Sequence, residues 1–374
     1  MRADMPTPDT LRKTPFAVRH FAHWLHIPVH PQCSSPVPRA RLANRMARKR
    51  SHKMEKLARI YDSEILPVWS HRFGRMLLSD LKVESGSQVL DVACGTGYPS
   101  TEIIRRMPDD SRLIAIDGSA AMLDVARTKI EEMGAKNVFF RSESAVPKLS
   151  FADDVYDLVV CNLGLSDFDN PQAALLDFAR VARPGGEVRC TLPLAGTFQE
   201  FLDIYQEVLT KHDKHETLAA LQEHVALTLP TVDQCYEWME VAGLEDVSVE
   251  FDEFTMLFKS SREFFFAPVI EFGPISDWKR IAGKGQEMQD IFWYIKEAID
   301  AYYSGRAFEV TVRAGLIKGR VPLETPKRAD TEEISVDELI RQDSSESVRP
   351  SLKIDDDAEL DAFIEGSERP EHLK

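Results

Sequence analysis

Through the middle of the chain, apolar runs of strand length alternate with stretches whose apolar residues recur at helical spacing. "SQVLDVAC" is a strand-length run, and "YPSTEIIRRM" after it carries Pro99 where the first turn of a helix tolerates proline. "RLIAIDGS" is a second strand. In "AAMLDVARTKIEEMG" the residues Met122, Val125, Ala126, Ile130 and Met133 form one helical stripe, which Ser119 can cap and Gly134 can stop. "NVFFRSES" and "YDLVVCNLG" continue as strands, "NPQAALLDFARVARPGG" as a helix capped by Asn170, and "EVRCTLPL" as a fifth strand. Strands alternating with helices predict a doubly wound α/β fold on a mostly parallel sheet.

The later pattern changes. "TFQEFLDIYQEVL" and "TVDQCYEWMEVAGL" predict amphipathic helices, and "EDVSVEFDEFTMLF" a strand. "SREFFFAPVIEFG" and "MQDIFWYIKEAIDAYY" predict helical cap segments, and "FEVTVRAGLIKGR" a closing strand. The cap segments span about residues 195–305.

Charge marks the ends of the domain. Residues 1–53 carry Arg and Lys almost without acids, whereas residues 321–374 are rich in Asp, Glu and Ser. The domain itself is expected over 54–320, between a flexible basic extension and an acidic tail too poor in apolar residues to order alone, which offers a site for a protein partner. The basic start has three readings: a start placed too early, a transit-like presequence, or an arm for anionic surfaces. A dispensable segment is the favoured one.

Composition limits the rest. With 374 residues, 43% hydrophobic content and net charge −15, the chain can bury a large core. No apolar stretch approaches the roughly 18 residues that span a bilayer. The five cysteines form no CxxC pair, so neither a zinc site nor a disulfide framework is expected, and a cytoplasmic location fits. His20, His23, His26 and His30 lie at near-helical spacing, but no carboxylate or cysteine accompanies them, and no metal is expected.

In doubly wound sheets ligands bind outside the carboxyl ends of the strands. The residues there are Asp91 with Gly95 and Gly97, Asp117, Glu143 and Asn162. A dinucleotide site wants G-x-G-x-x-G, yet Ser100 stands at the last position, and no phosphate-cradling GxxxxGK[ST] is present. What remains is an acid at a strand end beside glycines that let a ligand touch the backbone, which suits a ligand bearing positive charge. S-adenosylmethionine has an ammonium and a sulfonium. Asp117, about 20 residues past the glycines, lies where a carboxylate can accept ribose hydroxyls.

"VLDVACGTG", "AIDGSAAMLDVAR", "SES" after strand three, "YDLVVCNLGL" and "RVARPGGEV" together resemble a class I S-adenosylmethionine-dependent methyltransferase. The resemblance implies a Rossmann-like fold with S-adenosylmethionine as cofactor. It implies that Gly95 and Gly97 meet the methionine half and Asp117 the ribose, with Asp91, Ala93, Thr96 and Gly118 also among the cofactor-binding residues. Met122 and the segment Ser142 to Ser144 would meet the adenine. Where the family often has Asp-Ala this chain has Ser142, Glu143 and Ser144, so Glu143 and Ser144 both stand as candidates for the amino group. Asn162 and Leu163 would floor the site near sulfur, and Tyr61 matches a tyrosine that closes over the cofactor. The order of the late elements resembles the ubiquinone-type and malonyl-carrier O-methyltransferase branches.

The apolar cluster Phe258, Phe264, Phe265, Phe266 and Ile270, in a segment the family uses over the substrate, points to a small-molecule or carrier-borne acceptor with an apolar body, methylated at oxygen, with ordinary core packing as the other reading of the same residues. Phe265 and Arg262 are the candidate acceptor contacts, and His71 the candidate base. His212, His215 and His224 fall in "KHDKHETLAALQEHVAL", whose polarity predicts a solvated helix. Two rival readings are a non-catalytic binding protein that kept the fold and a nucleic-acid methyltransferase guided by the basic arm. Overall acidity and the lack of an aromatic-plus-basic stripe oppose the second.

Overall fold

A computed structural model describes residues 52–144 and 148–323. The basic and acidic end segments, the four-histidine run and Cys33 lie outside the described residues, except that helix α1 (52–60) already includes residues 52 and 53 and that residues 321–323 of the acidic segment are described. A π-helical turn at Tyr61–Ile65 links α1 to α2 (Ser70–Leu77).

The alternating pattern then folds as read. β1 (Gln88–Val92) leads to α3 (Ser100–Arg106), β2 (Arg112–Asp117) to α4 (Ala120–Met133), and β3 (Val138–Ser142) to β4 (Tyr156–Asn162). A 3₁₀ turn, Gly164–Asp167, precedes α5 (Pro171–Val181), and β5 (Ala182–Pro193) follows. The caps are those the sequence marks. Ser119 accepts the Met122 N–H, Asn170 accepts the Ala173 N–H at 2.9 Å, and Gly134 closes α4 with φ 68°.

Helices α6 (Gln199–Lys211) and α7 (His215–Thr228) are followed by α8 (Val232–Val241), which packs on α5 and the sheet, and then by β6 (Glu245–Phe258). Next come α9 (Ser261–Phe265), α10 (Pro268–Glu271), α11 (Ile275–Ala282) and α12 (Gln286–Tyr302), and β7 (Phe308–Arg320) closes the domain.

The sheet has seven strands in the order β3-β2-β1-β4-β5-β7-β6. The first five are parallel, and β7 enters antiparallel between β5 and β6. Strand order reverses between β1 and β4, and the crevice at such a switch is where this architecture binds ligands.

Alternation along β1 sorts its side chains. Val89 packs with Leu77, Ile103 and Leu123 of the helices on one face, while Leu90 and Val92 pack with Leu175 and Phe178 of α5 on the other. A third cluster lies in the cap, where Phe201, Tyr205, Phe264, Phe265 and Phe292 meet Phe258 and Phe308 of the two long antiparallel strands. No helix among the described residues is long and apolar enough to cross a membrane.

Phe265 belongs to this cap cluster. It is 3% exposed and packs against Phe201, Phe264 and Phe292 with ring centroids 5.3 to 6.1 Å away. Adjacent aromatic residues on the short helix α9 fill the gap between α6 and α12, leaving Arg262 exposed over the Phe266 ring. Phe265 thus takes the core-packing alternative, Arg262 stands on the surface, and neither lines the cavity described below. Phe265→Ala should lower stability by about 3–5 kcal/mol, as a cavity in a packed aromatic core does. Urea unfolding measures it, and a loss under about 1 kcal/mol would contradict the packing described.

Candidate active site

Asp91, in the central strand β1, is fully buried. One carboxylate oxygen accepts the Ser100 hydroxyl, and the other has no hydrogen-bond partner among the described residues. Burial pushes its pKa up to about 7, with Asp117 adding to the rise and Ser100 opposing it. The loop after it turns through left-handed backbone at Ala93 (φ 57°), Gly95 (φ 54°) and Gly97 (φ 94°). Gly97 also presses on α4. A Cβ there would stand 3.1 Å from the Ala126 Cβ, so both the turn and the contact require glycine. The Thr96 hydroxyl is buried and, like Asp91, lacks a partner among the described residues.

Asp117, at the end of β2, ties this loop to the next strand. Its carboxylate accepts the Gly95 N–H at 2.9 Å and the Ser119 N–H at 2.8 Å, and burial raises its pKa. Each oxygen keeps acceptor capacity beyond the one bond it makes. Gly118 beside it is exposed, with open space where a side chain would be, and Met122 is buried one turn into α4.

Glu143 is occupied elsewhere: it pairs with Arg141 at 2.8 Å and accepts the Ser150 N–H at 2.7 Å. Ser144 is the last described residue before the break at 145–147.

Asn162 ends β4, and its side-chain amide serves as a brace. It donates to the Ser70 carbonyl at 3.3 Å and accepts the Thr191 hydroxyl at 2.7 Å. That brace and the close packing of Gly164 on Ala93 hold Leu163 in left-handed backbone, φ 70°. Tyr61 comes from the opposite side. Its ring approaches Gly95, Cε1 lying 3.7 Å from where a Cβ would stand. Its hydroxyl bonds Ser70 Oγ at 2.7 Å, and burial pushes its pKa up to about 12.

Tyr61 and Leu163 also line a cavity of about 250 Å³ that runs from the strand ends to the cap. Ile65, Trp69, Ser166, Asp167 and Pro193 complete the strand-end wall. The far wall comes from Phe198 and Leu202, from His224, Val225, Thr228 and Leu229 at the end of α7, and from the segment between Val269 and Trp278. Trp69 and Phe198 stack with centroids 5.8 Å apart, and Trp278 meets Phe198 edge-on at 5.6 Å. The cavity thus has an aromatic lining with four titratable groups in it: Tyr61, Asp167, His224 and Asp277.

Comparison with known proteins speaks to this arrangement. The family described as "Methyltransferase domain" matches residues 89–186. A demethylmenaquinone methyltransferase of Halalkalibacterium halodurans is 27% identical over 215 residues, covering 54% of this chain and 87% of the relative. One from Bacillus cereus is 28% identical over 208 residues, covering 52% of this chain and 87% of its own length. The matched region is that of a class I S-adenosylmethionine-dependent methyltransferase. Among solved structures, the YcgJ protein of Bacillus subtilis aligns with a TM-score of 0.46 at 16% identity, covering 67% of this chain and 99% of that one.

S-adenosylmethionine is thus the cofactor of this methyltransferase, and the strand ends fit it. A buried carboxylate and a buried hydroxyl, each short of a partner, lie beside glycine backbone that carries no side chain of its own. The cofactor carries the cationic and hydrogen-bonding groups that such a site lacks.

The histidine at the methyltransferase's cavity is not the one expected. His71 does not line it: the ring packs edge-on to Tyr98 at 4.4 Å, and burial lowers its pKa. His224 does line it, so α7 is not solvated all round as its polarity predicted. A signal was available, since Leu218, Leu221, His224, Val225 and Thr228 recur at spacings of three and four. Asp167 is not a strand-end residue: it lies on the 3₁₀ turn five positions past Asn162, where strand periodicity does not reach.

The raised Asp91 pKa has a measurable consequence. Its folded carboxyl holds a proton up to about pH 7, whereas unfolded it releases it near the ordinary 3.8. The folded state binds more protons between those limits, so the stability of the cofactor-free enzyme falls as pH rises from about 4 to about 7. Asp91→Asn should reduce this slope, leaving the smaller contribution of Asp117, and raise the thermal midpoint at pH 8 relative to wild type. Melting curves across that range test it, and an unchanged slope would show that Asp91 is ionised throughout.

Proposed function

We propose that the chain transfers a methyl group to an oxygen of a small acceptor with a flat, apolar body. The observation that carries this reading is the aromatic cavity bounded by Tyr61 and Leu163 at the strand ends and by Phe198 and Trp278 in the cap. Its volume, about 250 Å³, lies just below the usual small-molecule range of roughly 300–1,000 Å³ and suits one or two fused rings. The relatives named for demethylmenaquinone support an apolar ring as the methylated body. An acceptor presented on a carrier would enter the same cavity with its carrier outside.

When bound, S-adenosylmethionine supplies an electrophilic methyl group on a sulfonium. The protein's part is to hold and exclude. In this reading Asp91 and Thr96 take the methionine half, Asp117 the ribose, and Met122 with the Glu143–Ser144 segment borders the adenine. Tyr61 closes over Gly95, and its hydroxyl stays protonated because the surroundings are dry. Leu163, Trp69 and Phe198 keep water from the transfer path and hold the acceptor at near-attack distance, which is most of what methyl transfer needs. A protein partner held by the acidic tail is compatible with this scheme and separate from it.

Asp117→Ala should remove charge-assisted hydrogen bonds worth about 1.5–3 kcal/mol and weaken cofactor binding roughly ten- to a hundredfold. Calorimetry with S-adenosylhomocysteine measures this. Methyl incorporation from labelled cofactor into 1,4-naphthohydroquinone, with mass analysis of the product, tests the acceptor class. Cofactor binding without turnover of any hydroxylated ring compound would set the acceptor reading aside and favour a binding protein.

A further inference from the structure

We propose that His224 is the proton acceptor for the acceptor's hydroxyl, a proposal that rests on the cavity being the acceptor site. The cavity's polar groups divide by chemistry. Ser166 and Thr228 carry hydroxyls, which are poor bases, and the Thr228 hydroxyl donates to the His224 carbonyl at 2.8 Å. Tyr61 is committed to Ser70 and keeps its proton. Asp167 and Asp277 are carboxylates, ordinarily protonated only near pH 4, and a phenolic proton near pH 10 lies far uphill from them. Imidazole, near 6.5, is the closest match, and proton transfer in a transition state is most efficient when the base titrates near the working pH.

Position supports the same residue. His224 follows the buried Leu221 by three positions and precedes Thr228 by four, so all three share the inward face of α7. α7 packs on α6 and α11. The charged groups of α6 (Glu200, Asp203, Glu207, Lys211) and Lys279 and Arg280 of α11 do not line the cavity, and Asp277 of α11 does, its carboxylate paired with Arg280 at 3.3 Å. Asp167 lies on the opposite, strand-end wall.

The other described histidines lie elsewhere. His71 packs on Tyr98, His212 stacks on Tyr294 at 3.9 Å, and His52 and His215 are exposed.

The step is a proton transfer. The acceptor's O–H bond breaks, the electron pair stays on oxygen, and the proton passes to a ring nitrogen of His224, leaving an oxyanion beside an imidazolium. The oxyanion is the nucleophile that methylation at oxygen needs.

Two readouts test this, one of them without cofactor. 4-Nitrophenol absorbs differently as phenol and phenolate, so its ionisation in the cavity can be read in cofactor-free protein near pH 7. Wild type should bind it with an increased phenolate fraction. His224→Gln should still bind it but shift its ionisation at least tenfold towards the neutral phenol, while His215→Gln on the exposed side of the same helix should match wild type.

In turnover of 1,4-naphthohydroquinone, His224→Gln should lower kcat about a hundredfold or more with little change in KM. It should also abolish the fall of kcat/KM on the acid side, where a protonated imidazole can accept nothing. A folded His224→Gln protein that ionises the phenol and turns over like wild type overturns the proposal while leaving the cavity as acceptor site. Wild-type protein that binds S-adenosylhomocysteine but no phenol overturns both.

Discussion

Asp91 is a carboxylate placed where water cannot reach it. β1 lies between β2 and β4, and side chains from helices cover both of its faces, so a charge at its end receives help only from the loop that follows. Ser100 gives that help to one oxygen, and the other is left without it. Burying an unpaired charge is costly enough that the group holds its proton instead. Much of the surrounding architecture follows from accommodating this acid. The chain turns sharply at Gly95 and Gly97 to bring α3 and its Ser100 back over the strand, and the Gly95 N–H is in turn held by Asp117 of the next strand. A cationic ligand at this position relieves what the polypeptide leaves unpaired, so ligand binding and folding draw on one electrostatic deficit.

The cap answers a different need. Its aromatic residues fall into two populations that composition does not distinguish. Phe201, Phe264, Phe265 and Phe292 of α6, α9 and α12 pack on one another and form a core. Phe198 and Trp69 immediately precede α6 and α2 and line the cavity, and Trp278, midway along α11, lines it while its ring stacks on Phe201 at 4.3 Å. Phe198 shows how this arises. It occupies the position before α6 in left-handed backbone, φ 60°, which swings the ring away from the helix it introduces and between the two tryptophans.

The same distinction explains what the sequence could reveal. Asp91, Gly95, Gly97 and Asp117 were legible because strand and loop periodicities place them by local rules, and a glycine contact such as Gly97 on Ala126 leaves a trace in residue type. Helices α6, α8 and α12 were legible from their stripes. Phe265 is ambiguous in sequence because an aromatic cluster looks alike in core and pocket until the neighbouring helices are in place. His224 is hidden by the polarity of its helix, although a helix needs only one inward stripe to line a cavity. Glu143 was placed correctly along the chain, but its side chain turns to Arg141 and Ser150, a choice made by a loop that no periodicity describes.

Backbone strain converges on the same place. Six residues other than glycine adopt positive φ among the described residues, and three of them, Asp154, Asp213 and Asp246, are aspartates, which tolerate that region through local hydrogen bonding. The other three are Ala93, Leu163 and Phe198, apolar side chains with no such excuse. Ala93 follows β1, Leu163 follows β4 and also lines the cavity, and Phe198 forms part of the cavity's far wall. Each costs of order 1–3 kcal/mol and persists only because surrounding contacts over-determine it. For Leu163 those contacts are identifiable: the Asn162 amide braced by Ser70 and Thr191, and Gly164 pressed on Ala93. Strained apolar backbone gathered around one cavity, beside a dry acid short of a partner, shows the fold spending stability on the shape of the site instead of distributing it through the core.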